Sequence, residues 1–111
     1  MPADRPEVQE IDAATAKAWV DAGEAVLLDV REHQELEQAR IDGAVHNAMS
    51  TFDFENIPKD SGKKVIVMCA HGMRSLQVAD YLLSQNMLDE AYSMTGGIVA
   101  WAQAGFPCEH G

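Results

Sequence analysis

Two uninterrupted apolar runs stand out along the chain, Ala25-Val26-Leu27-Leu28 and Val65-Ile66-Val67-Met68. Such runs, without alternation and closed by polar or turn residues, suit strands covered on both faces, as in a parallel sheet. Helical spacing surrounds them. Asp12 is placed to cap a helix carrying Ala16, Trp19 and Val20 on one face and ended by Gly23. A second helix is expected after Arg74, with Leu76, Ala79, Leu82 and Leu83 on its apolar face and Asp80 and Gln85 turned away. A short helix rich in Glu and Gln is expected from Glu32 to Gln38.

Ala91 to Thr95 reads as a further strand, with Tyr92 and Met94 sharing a face. Gly96-Gly97 then turns the chain into a helix over Ile98 to Ala104 that Gly105 ends. A short strand is expected around Ala44-Val45, and a small helix plus loop between Ser50 and Gly62. Strands alternating with helices predict an α/β domain with a mainly parallel central sheet flanked by helices. Trp19 and Trp101 fall on apolar helix faces and are expected in the core.

Composition narrows the function classes. The 111 residues fit a single domain over 1–111, with its core at about 8–107. With 18 acidic residues against 8 Lys and Arg, the formal charge is −10, which opposes nucleic acid and anionic membranes as partners. The longest apolar stretch, Val65 to Ala70, is too short to cross a bilayer. Met1 to Glu7 carry Asp4, Arg5 and Glu7 and no apolar run, so no signal peptide is expected. The chain is expected to be cytoplasmic or, with a leader already removed, periplasmic. A monomer is expected. Two cysteines, Cys69 and Cys108, are too few for a disulfide framework or a four-cysteine zinc site, and no residue pattern asks for a metal or organic cofactor.

The chemistry concentrates where the second apolar run ends: Cys69-Ala70-His71-Gly72-Met73-Arg74-Ser75. Ligands of open α/β sheets bind beyond the carboxyl ends of strands, and Cys69 sits there. A free thiol, with pKa about 8.5, is mostly protonated at neutral pH, whereas the thiolate is the nucleophile. Converging loop amides and a helix N-terminus favour the thiolate and, after reaction, a persulfide anion. Gly72 lets the loop turn its amides inward. Arg74 adds a permanent cation suited to an anionic sulfur donor. His71 is either a donor to the incoming anion or an exposed loop residue, Met73 a rim contact, and Ser75 a helix-start residue bonded to local backbone. Asp29 and Arg31, at the carboxyl end of the first strand, are supporting candidates read as an ion pair or hydrogen-bond anchor. Cys108 reads as a dispensable thiol in the tail.

Cys69-x-x-Gly72-x-Arg74-Ser75 resembles the active-site loop of rhodanese-family sulfurtransferases. Two further segments are similar to that family: Leu28-Asp29-Val30-Arg31-Glu32 followed by Ile41-Asp42-Gly43-Ala44, and Gly96-Gly97-Ile98-Val99-Ala100-Trp101 followed by Ala104-Gly105-Phe106-Pro107. The likeness runs from about Ile11 to Pro107. It implies a three-layer fold and a two-step, ping-pong transfer. Cys69 would take sulfur from a donor such as thiosulfate and pass it to cyanide, a thiol or a protein acceptor, with the amides of Ala70 to Ser75 as the anion cradle. Ala39-Arg40 and His46-Asn47-Ala48 depart from the family's usual residues, in segments that bear on local turns and donor preference. Two alternatives stand beside this reading. One is a sulfur-carrier or regulatory module with little free thiosulfate activity. The other is a phosphatase or arsenate reductase, against which the Cys-x4-Arg loop counts as one residue too short.

Overall fold

The computed structural model describes residues 7–58 and 62–110. Met1 to Pro6, most of the segment read for a signal peptide, lie outside the described residues, as do residues 59–61 of the loop expected before Gly62. In chain order the elements are β1 (Gln9–Ile11), α1 (Ala13–Asp21), β2 (Ala25–Asp29), α2 (His33–Gln38), β3 (Ala39–Arg40), β4 (Val45–His46), β5 (Lys64–Met68), α3 (Met73–Ser84), β6 (Tyr92–Met94), α4 (Gly97–Gln103) and β7 (Glu109–His110). A 3-10 turn, Met49–Thr51, follows β4.

Five strands form one sheet in the order β1-β6-β5-β2-β4, parallel at every pairing. Its two apolar runs are its centre: β2 and β5 pair along their full length, from Ala25 beside Lys64 to Asp29 beside Met68. Alternation then sorts side chains by face. Leu28, Val67 and Ser93 stand side by side on one face, and Leu27, Ile66 and Tyr92 on the other. The first face packs under α3 through Val78, Ala79, Leu82 and Leu83. The second packs under α1 and α4 through Ala13, Ala16, Ile98 and Trp101. This is the expected mainly parallel α/β sheet flanked by helices. Among the described residues no helix is long and apolar enough to cross a membrane.

Several boundaries differ from the sequence reading. The helix expected after Arg74 starts at Met73, and its buried face is Ser75, Val78, Ala79, Leu82 and Leu83, with Leu76 only half-buried. The cause is the left-handed Gly72 (φ 105), which starts the helix earlier and turns Ser75 toward the sheet. The small helix expected after Ser50 is the single 3-10 turn. Neither β3 nor β7 was expected. They form a separate antiparallel ladder, held also by Arg40 and Glu109 at 3.1 Å, so the fold continues past residue 107 to His110.

Gly97 stands against the end of β5. A Cβ there would lie 2.2 Å from the Cys69 carbonyl oxygen and 2.5 Å from the Ala70 carbonyl carbon, at φ +58. Gly105 also has positive φ (+84), but a Cβ there meets nothing within 4 Å. Gly97→Ala is therefore expected to cost about 3 kcal/mol or more, since backbone must move, and Gly105→Ala only ~1 kcal/mol for the left-handed conformation. Denaturant unfolding of the two variants checks this. Equal losses would show that the close approach at Gly97 is not tight.

Candidate active site

The loop after β5 is fixed from two sides. The Val30 N–H donates to the Met68 carbonyl at 3.0 Å, tying the end of β2 to the end of β5. Beyond it, the Ile98 N–H donates to the Cys69 carbonyl at 2.9 Å and the Val99 N–H to that of Ala70 at 3.2 Å. These are first-turn amides of α4, which have no intrahelical partner and which Gly96, lacking a side chain, cannot cap. The glycine pair expected only to turn the chain thus also brings α4 close enough to hold the loop.

The Cys69 sulfur faces the start of α3. The Gly72 N–H donates to it at 3.1 Å and the Ser75 N–H at 3.3 Å. Ser75 is the third residue of α3, the position whose amide a capping Ser or Asp oxygen ordinarily takes. Gly72 offers no such oxygen, and the sulfur occupies the role. The Ser75 hydroxyl lies 3.6 Å from the sulfur, donates to the Gly72 carbonyl at 3.1 Å, and stands 2.7 Å from the Ser93 hydroxyl. Burial alone would push the Cys69 thiol up. The Ser75 amide and hydroxyl, joined by the Gly72 and His71 amides, more than offset this and hold its pKa below the ordinary thiol value. Cys69 is 1% exposed, Ala70 is half-buried, and the lip above them is His71, exposed, with Met73 at 70%.

Arg74, the permanent cation expected beside the loop, is paired within the fold. Its guanidinium grips Glu35 of α2 with two bonds, 2.7 and 2.8 Å. This bidentate bond brings the Glu35 carboxyl down to about 2, and raises the Arg74 guanidinium in turn. Asp29 and Arg31 form the anchor that was expected, buried and bonded through Arg31 Nη2 at 2.7 Å and Nε at 3.0 Å. Arg31 also donates to the Glu35 carbonyl at 3.3 Å, and its own carbonyl accepts from the His46 ring at 2.8 Å. The pair therefore positions α2, and α2 positions Arg74.

The remaining candidates separate cleanly. Trp19 meets Tyr92 edge-on at 5.1 Å, and Trp101 meets Phe106 at 5.3 Å while bonding the Pro107 carbonyl. Both are packing residues. Cys108 is a free thiol, half-buried against the core under α1 and α4, whereas Cys69 belongs to the core under α3. Among the described residues no three His, Cys, Asp or Glu side chains group to hold a metal. Glu35 and Ser93 were missed. A polar residue inside the buried Tyr92-Ser93-Met94 strand was the one available signal for Ser93. Glu35 carried only its capping-box spacing from Glu32, which speaks to the helix start and not to Arg74.

A family model described as Rhodanese-like domain matches residues 12–104. The chain is 36% identical over 95 residues to thiosulfate sulfurtransferase GlpE of Actinobacillus succinogenes, covering 84% of this chain and 85% of the relative. It is 33% identical over 99 residues to the protein of that name from Vibrio cholerae, covering 89% and 92%. Among solved structures, a rhodanese-related protein from Thermoplasma volcanium superposes with a TM-score of 0.77 at 31% identity, covering 91% of this chain and 97% of that one.

Because the Glu35 carboxyl is depressed on folding, its stabilisation is complete above the ordinary carboxylate value of 4.5 and drains away as pH falls toward 2. Glu35→Gln is expected to cost about 1 kcal/mol at pH 7, discounted because the pair is partly exposed. The gap between variant and wild type in urea unfolding should narrow as pH falls below about 4. A gap independent of pH would remove the ion pair as its cause.

Proposed function

The chain belongs to the rhodanese-like family, and on that footing we propose that it is a sulfurtransferase carrying sulfane sulfur as a persulfide on Cys69. The Cys69 thiolate attacks the outer sulfur of thiosulfate. A Cys69 S–S bond forms as the S–SO3 bond breaks, and sulfite leaves with the electron pair. The terminal sulfur keeps the negative charge. Cyanide or a thiolate then attacks that sulfur and returns Cys69 as thiolate, so the kinetics are ping-pong. The observation that carries this reading is the pair of amides, Gly72 and Ser75, aimed at the sulfur. They stabilise an anion without consuming a proton, which suits a group that is anionic before and after each half-reaction. With Arg74 committed to Glu35, main-chain dipoles do most of that work. The same commitment counts against phosphoryl transfer, where a guanidinium must be available to the tetrahedral phosphate.

One observation favours a protein thiol as the acceptor. Beside α3 an apolar groove of about 270 Å³ is lined by Met49, Phe52, Phe54, Val78, Tyr81 and Leu82. Tyr81, exposed like Met73, lies about two helical turns further along α3. Thiosulfate or cyanide has no use for such a surface, whereas a partner with an apolar side chain near its thiol does. The charge of −10 selects for basic residues around that thiol.

Cys69→Ala is expected to reduce thiosulfate–cyanide turnover to the uncatalysed rate and Cys108→Ala to leave it unchanged. Mass spectrometry of wild type after thiosulfate should show an adduct of about 32 Da on Cys69. Turnover surviving in Cys69→Ala, or an adduct only on Cys108, would overturn the mechanism. Tyr81→Glu should slow discharge of that persulfide to a short peptide carrying cysteine between leucines and lysines, and leave discharge to cyanide unchanged. Equal rates with the peptide would remove the groove as a docking site.

A further inference from the structure

Ser93 is a polar residue where the fold asks for an apolar one. It lies in β6 between the buried Tyr92 and Met94, beside Val67 in register, and is 2% exposed. A hydroxyl in such a place destabilises the fold unless it is hydrogen-bonded. Its neighbour is the Ser75 hydroxyl at 2.7 Å, itself fully buried. We propose that Ser93 is a positioning residue for the nucleophile: it donates to the Ser75 oxygen and so frees the Ser75 hydrogen for the Cys69 sulfur.

Counting hydrogens gives the argument. Ser93 has one hydroxyl hydrogen, and the acceptor the fold supplies to it is Ser75. Ser75 has one hydrogen and two acceptors within reach, the Gly72 carbonyl at 3.1 Å and the Cys69 sulfur at 3.6 Å. In the thiol form the Cys69 S–H donates to the Ser75 oxygen, and the Ser75 hydrogen goes to the Gly72 carbonyl. When the thiol gives its proton to solvent, the sulfur becomes an acceptor, and the Ser75 hydrogen rotates from the carbonyl to the sulfur. Ser93 donates to Ser75 in both states. An oxygen that accepts one hydrogen bond donates its own hydrogen more strongly, so the gain falls on the thiolate form. The Ser75 hydroxyl is among the groups that lower the thiol, which agrees with this direction.

Charged groups on the neighbouring elements do not replace this chain. Arg74 of α3 interacts with the Cys69 charge but is paired with Glu35 of α2, near Glu32, and Arg31 is paired with Asp29 beyond β2. His71 is in the loop itself, and its amide is what reaches the sulfur. Removing the Ser93 hydroxyl leaves all of these in place.

The inference rests on Cys69 being a reactive thiolate, so its test reads ionisation and not sulfur transfer. The rate of Cys69 alkylation by iodoacetamide is measured against pH in full-length protein carrying Cys108→Ala. Ser93→Ala is expected to raise the midpoint by about half a pH unit, a threefold loss of thiolate below it. Ser75→Ala should raise it further, and adding Ser93→Ala to Ser75→Ala should change nothing more. Should Ser93→Ala fold poorly, Ser93→Thr and Ser93→Val make the comparison at matched volume: Thr keeps the wild-type midpoint and Val raises it. An unmoved midpoint in Ser93→Ala, the same shift with and without Ser75, or matching midpoints for Thr and Val would overturn the proposal. The expected shift in a protein that transfers no sulfur would leave this role standing and defeat the proposed function alone.

Discussion

A helix begins with amides that nothing within it can satisfy, and here two helices begin at glycines that bring no side chain to the task. One dipeptide answers for both. The Cys69 sulfur takes amides at the head of α3, while the Cys69 and Ala70 carbonyls take amides at the head of α4. Because the two helices lie on opposite faces of the sheet, this dipeptide joins both layers to the end of β5. The Cys69 sulfur, the proposed nucleophile, is therefore also a cap. Its charge is set by the same contacts that start α3, and neither can be altered without the other.

Magnitudes decide which electrostatic feature governs the sulfur. A hydrogen bond to a charged acceptor contributes on the order of 1.5–3 kcal/mol, and two amides make one each. A helix end contributes ~0.3–1 kcal/mol when exposed. The full charge of Arg74 would rival the amides if it were free, but the bidentate bond to Glu35 leaves only the difference between the two. Local main-chain geometry thus outweighs net side-chain charge. This suits the proposed persulfide cycle, in which the anionic group would gain and lose one sulfur atom at fixed total charge.

The centre of the sheet was legible because β2 and β5 are covered on both faces and so read as continuous apolar runs, whereas its three-residue edge strand β1 was not expected. Tyr92 and Met94 were legible by alternation. Short edge elements were not: β3 and β7 have two residues each, and only chain contacts far apart in sequence define them. Cys69, Gly72 and Ser75 could be read because strand end, turn and helix start are local events. The pairing of Arg74 with Glu35 was not legible, because Glu35 lies 39 residues earlier and no spacing rule connects them. Ser75 was read as a local backbone ligand, which it is through Gly72. Its second bond, to Ser93, depends on α3 lying across β6, a tertiary fact.

The three segments that carry the family likeness meet at one junction, and this explains why they occur together. Val30 is bonded to Met68, and Ile98 and Val99 are bonded to Cys69 and Ala70, so each segment holds the main chain of the loop segment. Gly97 brings α4 close enough to leave no room for a methyl group. A loop held this firmly keeps its amides aimed before any donor arrives, which is the condition under which dipoles stabilise charge without reorganising. What the junction does not hold is the lip: His71 and Met73 project to solvent. On the proposed function, sulfur handling would fall to the main chain of the loop and partner choice to its exposed side chains. Under that proposal, substitutions at the lip would change which molecule approaches and leave the amides that face the Cys69 sulfur in place.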